Sequence, residues 1–159
     1  MENFQDMLII FGAKYLIFFA IVFAGLYFLS LSRESKRRTI VFAIIALPLS
    51  YVAAKISSYF YYDARPFVVG NFTSLIPHAA DNGFPSDHTL LASGLAGIIL
   101  LFDKKKGAVL AGVAILVGVS RVLAGVHHAT DIVGSMVIVS VVSFLTYKFL
   151  LPIALRAKK

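Results

Sequence analysis

The sequence contains no cysteine. Disulfide bonds and thiolate metal sites are therefore excluded, although the redox compartment stays undecided. Charge is also scarce, because charged residues make up 14% of the 159 positions whereas hydrophobic residues make up 59%. An average soluble domain has about 25% charged residues. The composition therefore indicates a membrane protein.

A transmembrane helix needs about 20 predominantly apolar residues. Five segments approach that length and are separated by polar or basic residues, with the third and fourth the shortest. They predict an all-α fold: a polytopic membrane helical bundle with about five transmembrane helices, in a single integral membrane domain over residues 1–159. The predicted segments are 8–31, 39–62, 86–102, 107–124 and 131–151.

The first apolar segment is predicted to span the membrane rather than to be a cleaved signal peptide. It is longer than the apolar core of a signal peptide, which has about 7–15 residues. It also follows the acidic residues Glu2 and Asp6 rather than a basic start.

Basic residues are concentrated in the short connections between apolar segments. The net charge is +7, but this placement is typical of orientation signals, so no nucleic-acid partner is predicted. Connections rich in lysine and arginine stay in the cytoplasm. The sequence therefore predicts an inner-membrane protein with its amino terminus outside, its carboxyl terminus cytoplasmic, and residues 63–85 and 122–130 outside. The basic clusters are Arg33, Lys36, Arg37 and Arg38, then Lys104, Lys105 and Lys106, then Arg156, Lys158 and Lys159.

The predicted outside segments carry residues suited to binding phosphate. Arg65 and Arg121 present planar guanidinium groups that bind phosphate oxygens bidentately. Pro85 and Ser86 indicate a helix start with Ser86 as the cap, where free backbone N–H groups favour an anion. We therefore expect these residues to form an anion site.

Two histidines and an aspartate complete a possible catalytic set. Asp131 follows His127 by four residues, so the two share a face if the fifth helix begins one turn before Asp131. The carboxylate would then hold one imidazole nitrogen protonated and leave the other free to attack. His88 would be the general acid for the leaving oxygen. The chemistry is predicted to need no metal and no cofactor.

Residues 85–88 and 120–131 resemble the second and third signatures of the type 2 phosphatidic acid phosphatase superfamily. Within it, residues 62–67 and 75–89 resemble the bacitracin-resistance type of undecaprenyl pyrophosphate phosphatase. The resemblance covers roughly residues 55–135. It implies that His127 forms a phosphohistidine, that Asp131 orients it and that His88 protonates the leaving group. The phosphate-binding residues that it implies are Arg65, Ser86 and Arg121.

The chain departs from these signatures at two positions. The first signature has a lysine where this chain has Ser58, and Lys55, one helical turn earlier, is the candidate replacement for binding phosphate. The second signature usually has glycine where this chain has Asp87, a change that the bacitracin-resistance type shares. His78 and His128 match no catalytic position, and solvated or loop-packing roles are predicted for both.

These residues predict a membrane-embedded phosphatase that converts undecaprenyl diphosphate to undecaprenyl phosphate and inorganic phosphate at the outer membrane face. Its expected partners are a polyprenyl diphosphate, or another lipid phosphate, and membrane lipids. Two alternatives stay open. One is a phosphatase for phosphatidylglycerophosphate, phosphatidic acid or a lipid A precursor. The other is a transport or resistance component that binds lipid phosphate without catalysis. The oligomeric state is left open.

Overall fold

The computed structural model describes residues 3–156. Within them the only non-helical pairing is an isolated antiparallel bridge between Ala64 and Asn82. The predicted all-α class is confirmed. Glu2, Lys158 and Lys159, used in the predictions above, lie outside the described residues. The helices in order are α1 Phe4–Lys14, α2 Leu16–Ser30, α3 Arg33–Phe60, α4 Pro66–Val69, α5 Asp87–Leu100, α6 Lys104–Leu123 and α7 Ala129–Leu145, followed by a π-helical turn, Thr146–Leu150, and α8 Leu151–Arg156.

All five predicted apolar segments form helices, but their lengths differ. Three helical segments in the described part of the chain are long and apolar enough to cross a membrane: α3, α6 and the continuous stretch Ala129–Arg156. The pair α1 and α2 makes a fourth if counted as one span, bent by 44°. Helix α5 has 14 residues and is therefore about 21 Å long, shorter than predicted and shorter than a hydrocarbon core of about 30 Å. The chain is an integral membrane protein, whereas five spans and their orientation stay predictions.

Helix α5 is central to the bundle because it packs against α2, α3, α6 and α7. Its buried positions include the small residues Ala92, Gly94 and Ala96, which let neighbouring helices approach closely. A Cβ atom at Gly94 would lie 2.7 Å from Leu47 of α3. The amino-terminal end of α5 is thereby held among the ends of three other long helices.

The connection between α3 and α5, residues 61–86, folds over the ends of α6 and α7. The Phe67 N–H donates to the Gly125 carbonyl at 3.2 Å, and the Leu75 N–H donates to the Ala124 carbonyl at 3.0 Å. Its apolar side chains favour such packing over disorder. The connection therefore forms a cover over one end of the bundle.

Candidate active site

His127 and Asp131 form a buried pair at the start of α7. His127 Nδ1 lies 3.0 Å from Asp131 Oδ2, and the two side chains are 3% and 0% exposed. The same carboxylate oxygen accepts the backbone N–H of His128 at 2.9 Å. A shared helix face was predicted on the condition that the helix starts one turn before Asp131. Helix α7 begins at Ala129, so the condition is not met and His127 precedes the helix. The pair forms because Asp131 reaches back across the helix start.

The turn before His127 depends on Gly125. Its φ is +77°, a left-handed conformation that residues with a Cβ rarely adopt. A Cβ atom there would also lie 2.6 Å from the Phe72 ring. Glycine therefore lets the chain leave α6 and bring His127 beside Asp131.

Arg65 is buried and lies against His127. Its Nη1 donates to the Val126 carbonyl at 2.7 Å and lies 3.3 Å from His127 Nε2. Its Nε donates to Asp81 Oδ1 at 2.7 Å, and Nη2 donates to the Asn82 carbonyl at 3.4 Å. These contacts fix the guanidinium beside the ring nitrogen that Asp131 does not contact.

Arg121 is also buried, at the last turn of α6, with a side chain that is only 3% exposed. Its Nη1 donates to the Ala13 carbonyl at 3.3 Å. Its Nε has no hydrogen-bond partner among residues 3–156. A buried donor usually has a partner, so this N–H is suited to an anion.

Ser86 caps α5 as predicted. Its Oγ accepts the backbone N–H of Thr89 at 3.4 Å and the Thr89 hydroxyl at 3.2 Å. His88, in the first turn of the same helix, lines the cavity described below, whereas Ser86 does not. The contact of Ser86 with phosphate stays a prediction.

These side chains surround a small polar cavity of about 160 Å³. Five of the seven predicted site residues line it, and Asp131 lies behind His127. The five are Lys55, Arg65, His88, Arg121 and His127; the other lining residues are Ala54, Ser58, His78, Asp81, Asn82, Phe84, Pro85 and Asp87.

One wall of the cavity contains Ser58, at the position where the first signature has a lysine. Ser58, at that position, accepts hydrogen bonds from Asn82 Nδ2 through its carbonyl at 3.0 Å and its hydroxyl at 3.2 Å. An uncharged amide therefore lies beside the residue that replaces the lysine. Lys55 lines the same wall, with its Nζ 5.1 Å from the centroid of the Tyr51 ring, and supplies a positive charge one turn away.

Asn82 is a structural residue of the site that sequence reasoning missed. Its Oδ1 accepts the backbone N–H groups of Asp63 at 2.9 Å and Phe84 at 3.0 Å, and its Nδ2 also donates to the Tyr61 carbonyl at 2.9 Å. One side chain thus joins the end of α3 to the approach to α5. The only sequence signal was its polarity within an apolar connection.

His78 is a second residue whose position was not anticipated. Its ring centroid lies 6.1 Å from that of His127. Burial, followed by the charge of Arg65, lowers the pKa of His78 below its ordinary value. Burial lowers the pKa of His127 too; the hydrogen bond to Asp131 opposes this, and the charges of Arg121 and Arg65 add to it. Both imidazoles are therefore more fully neutral at pH 7 than a free histidine.

A second histidine–carboxylate contact lies next to the first. His128 Nδ1 is 3.1 Å from Asp63 Oδ1. Asp63, His128 and Asp131 each present a ligand atom, and these atoms lie within 4.8 Å of one another. Two carboxylates and an imidazole form a donor set that a divalent ion can use. Neither Asp63 nor the contact was predicted, and catalysis without a metal stays a prediction.

Most of the chain matches one known protein family. Residues 39–153 match the family model of the PAP2 superfamily. The chain belongs to the PAP2 superfamily. The resemblance inferred from residues 85–88 and 120–131 is confirmed.

Two curated proteins are similar to most of this chain. The bacitracin transport permease protein BcrC of Bacillus licheniformis is 36% identical over 124 residues, which cover 77% of this chain and 60% of that protein. The undecaprenyl-diphosphatase BcrC of Bacillus subtilis strain 168 is 30% identical over 145 residues, which cover 91% of this chain and 74% of that protein. The chain thus spans less than two thirds of the first relative.

A solved structure has the same fold as this PAP2 superfamily member. The crystal structure of Aquifex aeolicus LpxE superposes with a TM-score of 0.70 at 22% identity. The match covers 94% of this chain and 88% of that one.

Proposed function

We propose that this PAP2 superfamily member hydrolyses undecaprenyl diphosphate to undecaprenyl phosphate and inorganic phosphate, through a phosphohistidine, at the extracytoplasmic membrane face. The main support is the orientation of His127. Its Nδ1 is bound to Asp131, whereas its Nε2 lies at the cavity beside Arg65. A histidine held in this way has a protonated nitrogen facing the carboxylate and a lone pair facing the substrate.

The first step transfers the terminal phosphoryl group to His127. The Nε2 lone pair attacks the terminal phosphorus, and the bond from that phosphorus to the bridging oxygen breaks. The bridging oxygen leaves with the electron pair as part of the lipid monophosphate, and His88 donates a proton to it. The imidazole becomes cationic as the N–P bond forms, and Asp131 stabilises it.

Positive groups around the cavity stabilise the transferring phosphoryl group. Charge in that transition state is spread over three phosphoryl oxygens. Arg65 and the free Nε of Arg121 donate to these oxygens, and Lys55 adds a positive charge from α3. Ser86 Oγ accepts both of its described hydrogen bonds, which leaves its own proton free to be donated. Fixed donors that need no reorganisation are the most effective electrostatic catalysts.

The second step releases inorganic phosphate. His88, now neutral, takes a proton from water as the water oxygen attacks the phosphorus of the phosphohistidine. The N–P bond breaks, its electron pair returns to His127 Nε2, and phosphate leaves. The residues that carry both steps are His127, His88 and Asp131, and neither step uses a metal ion.

The substrate assignment draws on the relatives and on the cavity. The Bacillus subtilis relative bears the name undecaprenyl-diphosphatase, and the resemblance in residues 75–89 points the same way. A cavity of about 160 Å³ suits a phosphoryl group, while the lipid chain stays among the helices and membrane lipids. The Bacillus licheniformis relative bears the name of a transport permease, which favours non-catalytic binding of lipid phosphate as the second candidate.

The decisive experiment measures phosphate release from undecaprenyl diphosphate in detergent with EDTA, for the parent protein and for His127→Ala. We expect release by the parent that the substitution abolishes. Lipid binding without release by the parent would support the transport candidate. Faster release from phosphatidic acid or phosphatidylglycerophosphate would assign a glycerolipid instead. Loss of activity in EDTA that magnesium restores would contradict metal-independent catalysis.

The side of the membrane can be tested by cysteine labelling, which is clean because the sequence has no cysteine. Thr73, in the α3–α5 connection, and Lys105, at the start of α6, are both exposed. An impermeant thiol reagent added to intact cells should label Thr73→Cys and not Lys105→Cys. The reverse pattern would put the cavity on the cytoplasmic side.

A further inference from the structure

A second site lies beside the catalytic pair and shares Asp131 with it. Asp63 Oδ1 lies 3.1 Å from His128 Nδ1, and ligand atoms of Asp63, His128 and Asp131 lie within 4.8 Å of one another. The geometry points to a binding site for a divalent transition-metal ion of the zinc type, with these three side chains as its protein ligands.

The contact between Asp63 and His128 lacks the geometry of a hydrogen bond. His128 Nδ1 is buried from solvent and has no hydrogen-bond partner among residues 3–156, although Asp63 Oδ1 is 3.1 Å away. The oxygen therefore lies off the axis on which the ring nitrogen carries its proton or lone pair. Two ligands of one tetrahedral ion face the ion rather than each other, and metal–ligand bonds of about 2.0–2.1 Å separate them by roughly 3.3 Å. The observed distance is close to that value.

Asp131 has one carboxylate oxygen without a hydrogen-bond partner. Its Oδ2 accepts from His127 and from the His128 backbone, whereas its Oδ1 is buried and has no partner in the described part of the chain. The side chain is 0% exposed. A buried carboxylate oxygen without a donor is costly. An ion bound through Oδ1 removes this cost and leaves the contact between Oδ2 and His127 in place.

Among residues 3–156, no lysine or arginine forms an ion pair with Asp63 or Asp131. The other Asp63 oxygen, Oδ2, accepts only the neutral Thr130 hydroxyl, at 3.1 Å. A Cβ atom at Gly83 would lie 2.9 Å from Asp131 Oδ2 and 3.1 Å from the Asp63 backbone carbonyl oxygen, so glycine lets the chain pass close to the Asp131 carboxylate. The Asp63 and His128 side chains are 17% and 38% exposed and can rotate to close the remaining distances. A dication balances the two neighbouring carboxylates.

The donor set favours zinc over magnesium or calcium. An imidazole nitrogen is a good ligand for zinc and similar transition ions, whereas magnesium and calcium prefer oxygen ligands only. With three protein ligands the ion keeps an open position for water.

The ion is expected to inhibit rather than to support turnover, an effect that rests on the proposed function. Coordination to Asp131 draws negative charge away from the carboxylate that stabilises cationic His127. The phosphohistidine then becomes harder to form. A zinc ion here regulates a reaction that needs no metal.

Zinc titration without substrate tests the site independently of activity. The experiment uses the full chain in detergent, isothermal titration calorimetry with zinc alone, and the visible spectrum of bound Co²⁺ as a second readout. Asp63→Asn removes one ligand without changing side-chain size. Asp81→Asn is the matched control, because Asp81 also lies near a histidine, 3.9 Å from His78, but outside the proposed site.

We expect one zinc ion per chain for the parent and for Asp81→Asn. Asp63→Asn should bind it at least about tenfold more weakly, since even second-shell partners of a metal contribute that much. His128→Gln should show the same loss and serves if Asp63→Asn does not fold. Unchanged affinity in both variants would overturn the site. Absence of saturable binding by the parent would overturn it too, and would leave Asp63 and His128 as a side-chain contact only.

The inhibitory role is tested separately with undecaprenyl diphosphate. Zinc should slow the parent and EDTA should restore it, whereas Asp63→Asn should resist zinc. Equal inhibition of the two proteins would mean that zinc acts by binding the diphosphate in solution, and would overturn that role. Failure of the parent to hydrolyse the lipid would count against the proposed function, while the calorimetry would still decide the site.

Discussion

Two adjacent histidines, each within about hydrogen-bond distance of an aspartate, behave differently in this structure. His127 and Asp131 are almost completely buried and their contact is aligned as a hydrogen bond. His128 and Asp63 are partly exposed, and their contact of similar length is misaligned. The same two residue types therefore form an oriented imidazole, the proposed nucleophile, in one case and a proposed ion site in the other. The two pairs differ in burial and in the alignment of the contact. The adjacent sequence positions of the two histidines do not reveal this difference.

Substitutions of the two histidines should show the largest difference in turnover between the two pairs. His127→Gln should lower turnover of undecaprenyl diphosphate by at least about 10⁴-fold, because a residue that forms the covalent intermediate has no substitute. His128→Gln in EDTA should keep most of its activity. Steady-state kinetics of both variants in detergent make the comparison, and equal losses would show that the two histidines act as one unit.

Substitutions of the two aspartates should also differ in their effect on turnover, but by a smaller factor than those of the two histidines. Asp131→Asn should cost about 10³–10⁴-fold in turnover, because the amide no longer fixes the tautomer of His127 or stabilises its cationic form. Asp63→Asn should change turnover in EDTA only slightly. The measurement is kcat for both at saturating lipid. A large loss in Asp63→Asn alone would assign the orienting role to the exposed pair.

His88 should be less critical than either member of the buried pair. The leaving group of a diphosphate is a phosphate monoester, which departs with little need for a proton, so His88→Ala should cost about 10²–10³-fold, within the range of general acid catalysis. Pre-steady-state release of the lipid monophosphate would measure it. A loss as large as that of His127→Gln would contradict this division of roles.

The smallest effect concerns the acid that holds Arg65 beside His127. Burial alone would raise the pKa of Asp81, but the hydrogen bond and charge of Arg65 outweigh it, so the pKa lies below the ordinary value of 3.8. The stabilising contribution of the ionised carboxylate is complete above that ordinary value and is lost as the pH falls through the lowered pKa. Asp81→Asn should therefore lower Tm slightly at pH 7, with the difference shrinking in strong acid. A Tm difference that stays constant with pH would mean that Asp81 acts without its charge.

Most of the helices could be predicted, because long apolar segments separated by basic residues are typical of membrane helices. The break at Tyr15 was not predicted, because the lone Lys14 beside it is a charged residue within a long apolar segment and does not by itself indicate a helix end. The His127–Asp131 pair was visible as a motif, although the helix start that creates it was misplaced. The side-chain contacts of Asp63 and Asn82 were not predictable, because all their partners except Phe84 lie 19 to 67 positions away. Those contacts depend on the path of the α3–α5 connection.

The bend in the first apolar segment extends the site beyond the part of the chain that defines the family. Ala13 lies in the last turn of α1, where helix carbonyls lack partners within the helix, and its carbonyl accepts Arg121 Nη1. The interruption of the helix at Tyr15 thus supplies an anchor for Arg121, the side chain that we propose to bind phosphate. That anchor precedes residue 39, where the match to the PAP2 superfamily begins. The part of the chain that positions Arg121 is therefore larger than the part that the family model matches, and the first helix pair contributes to the proposed active site as well as to the membrane bundle.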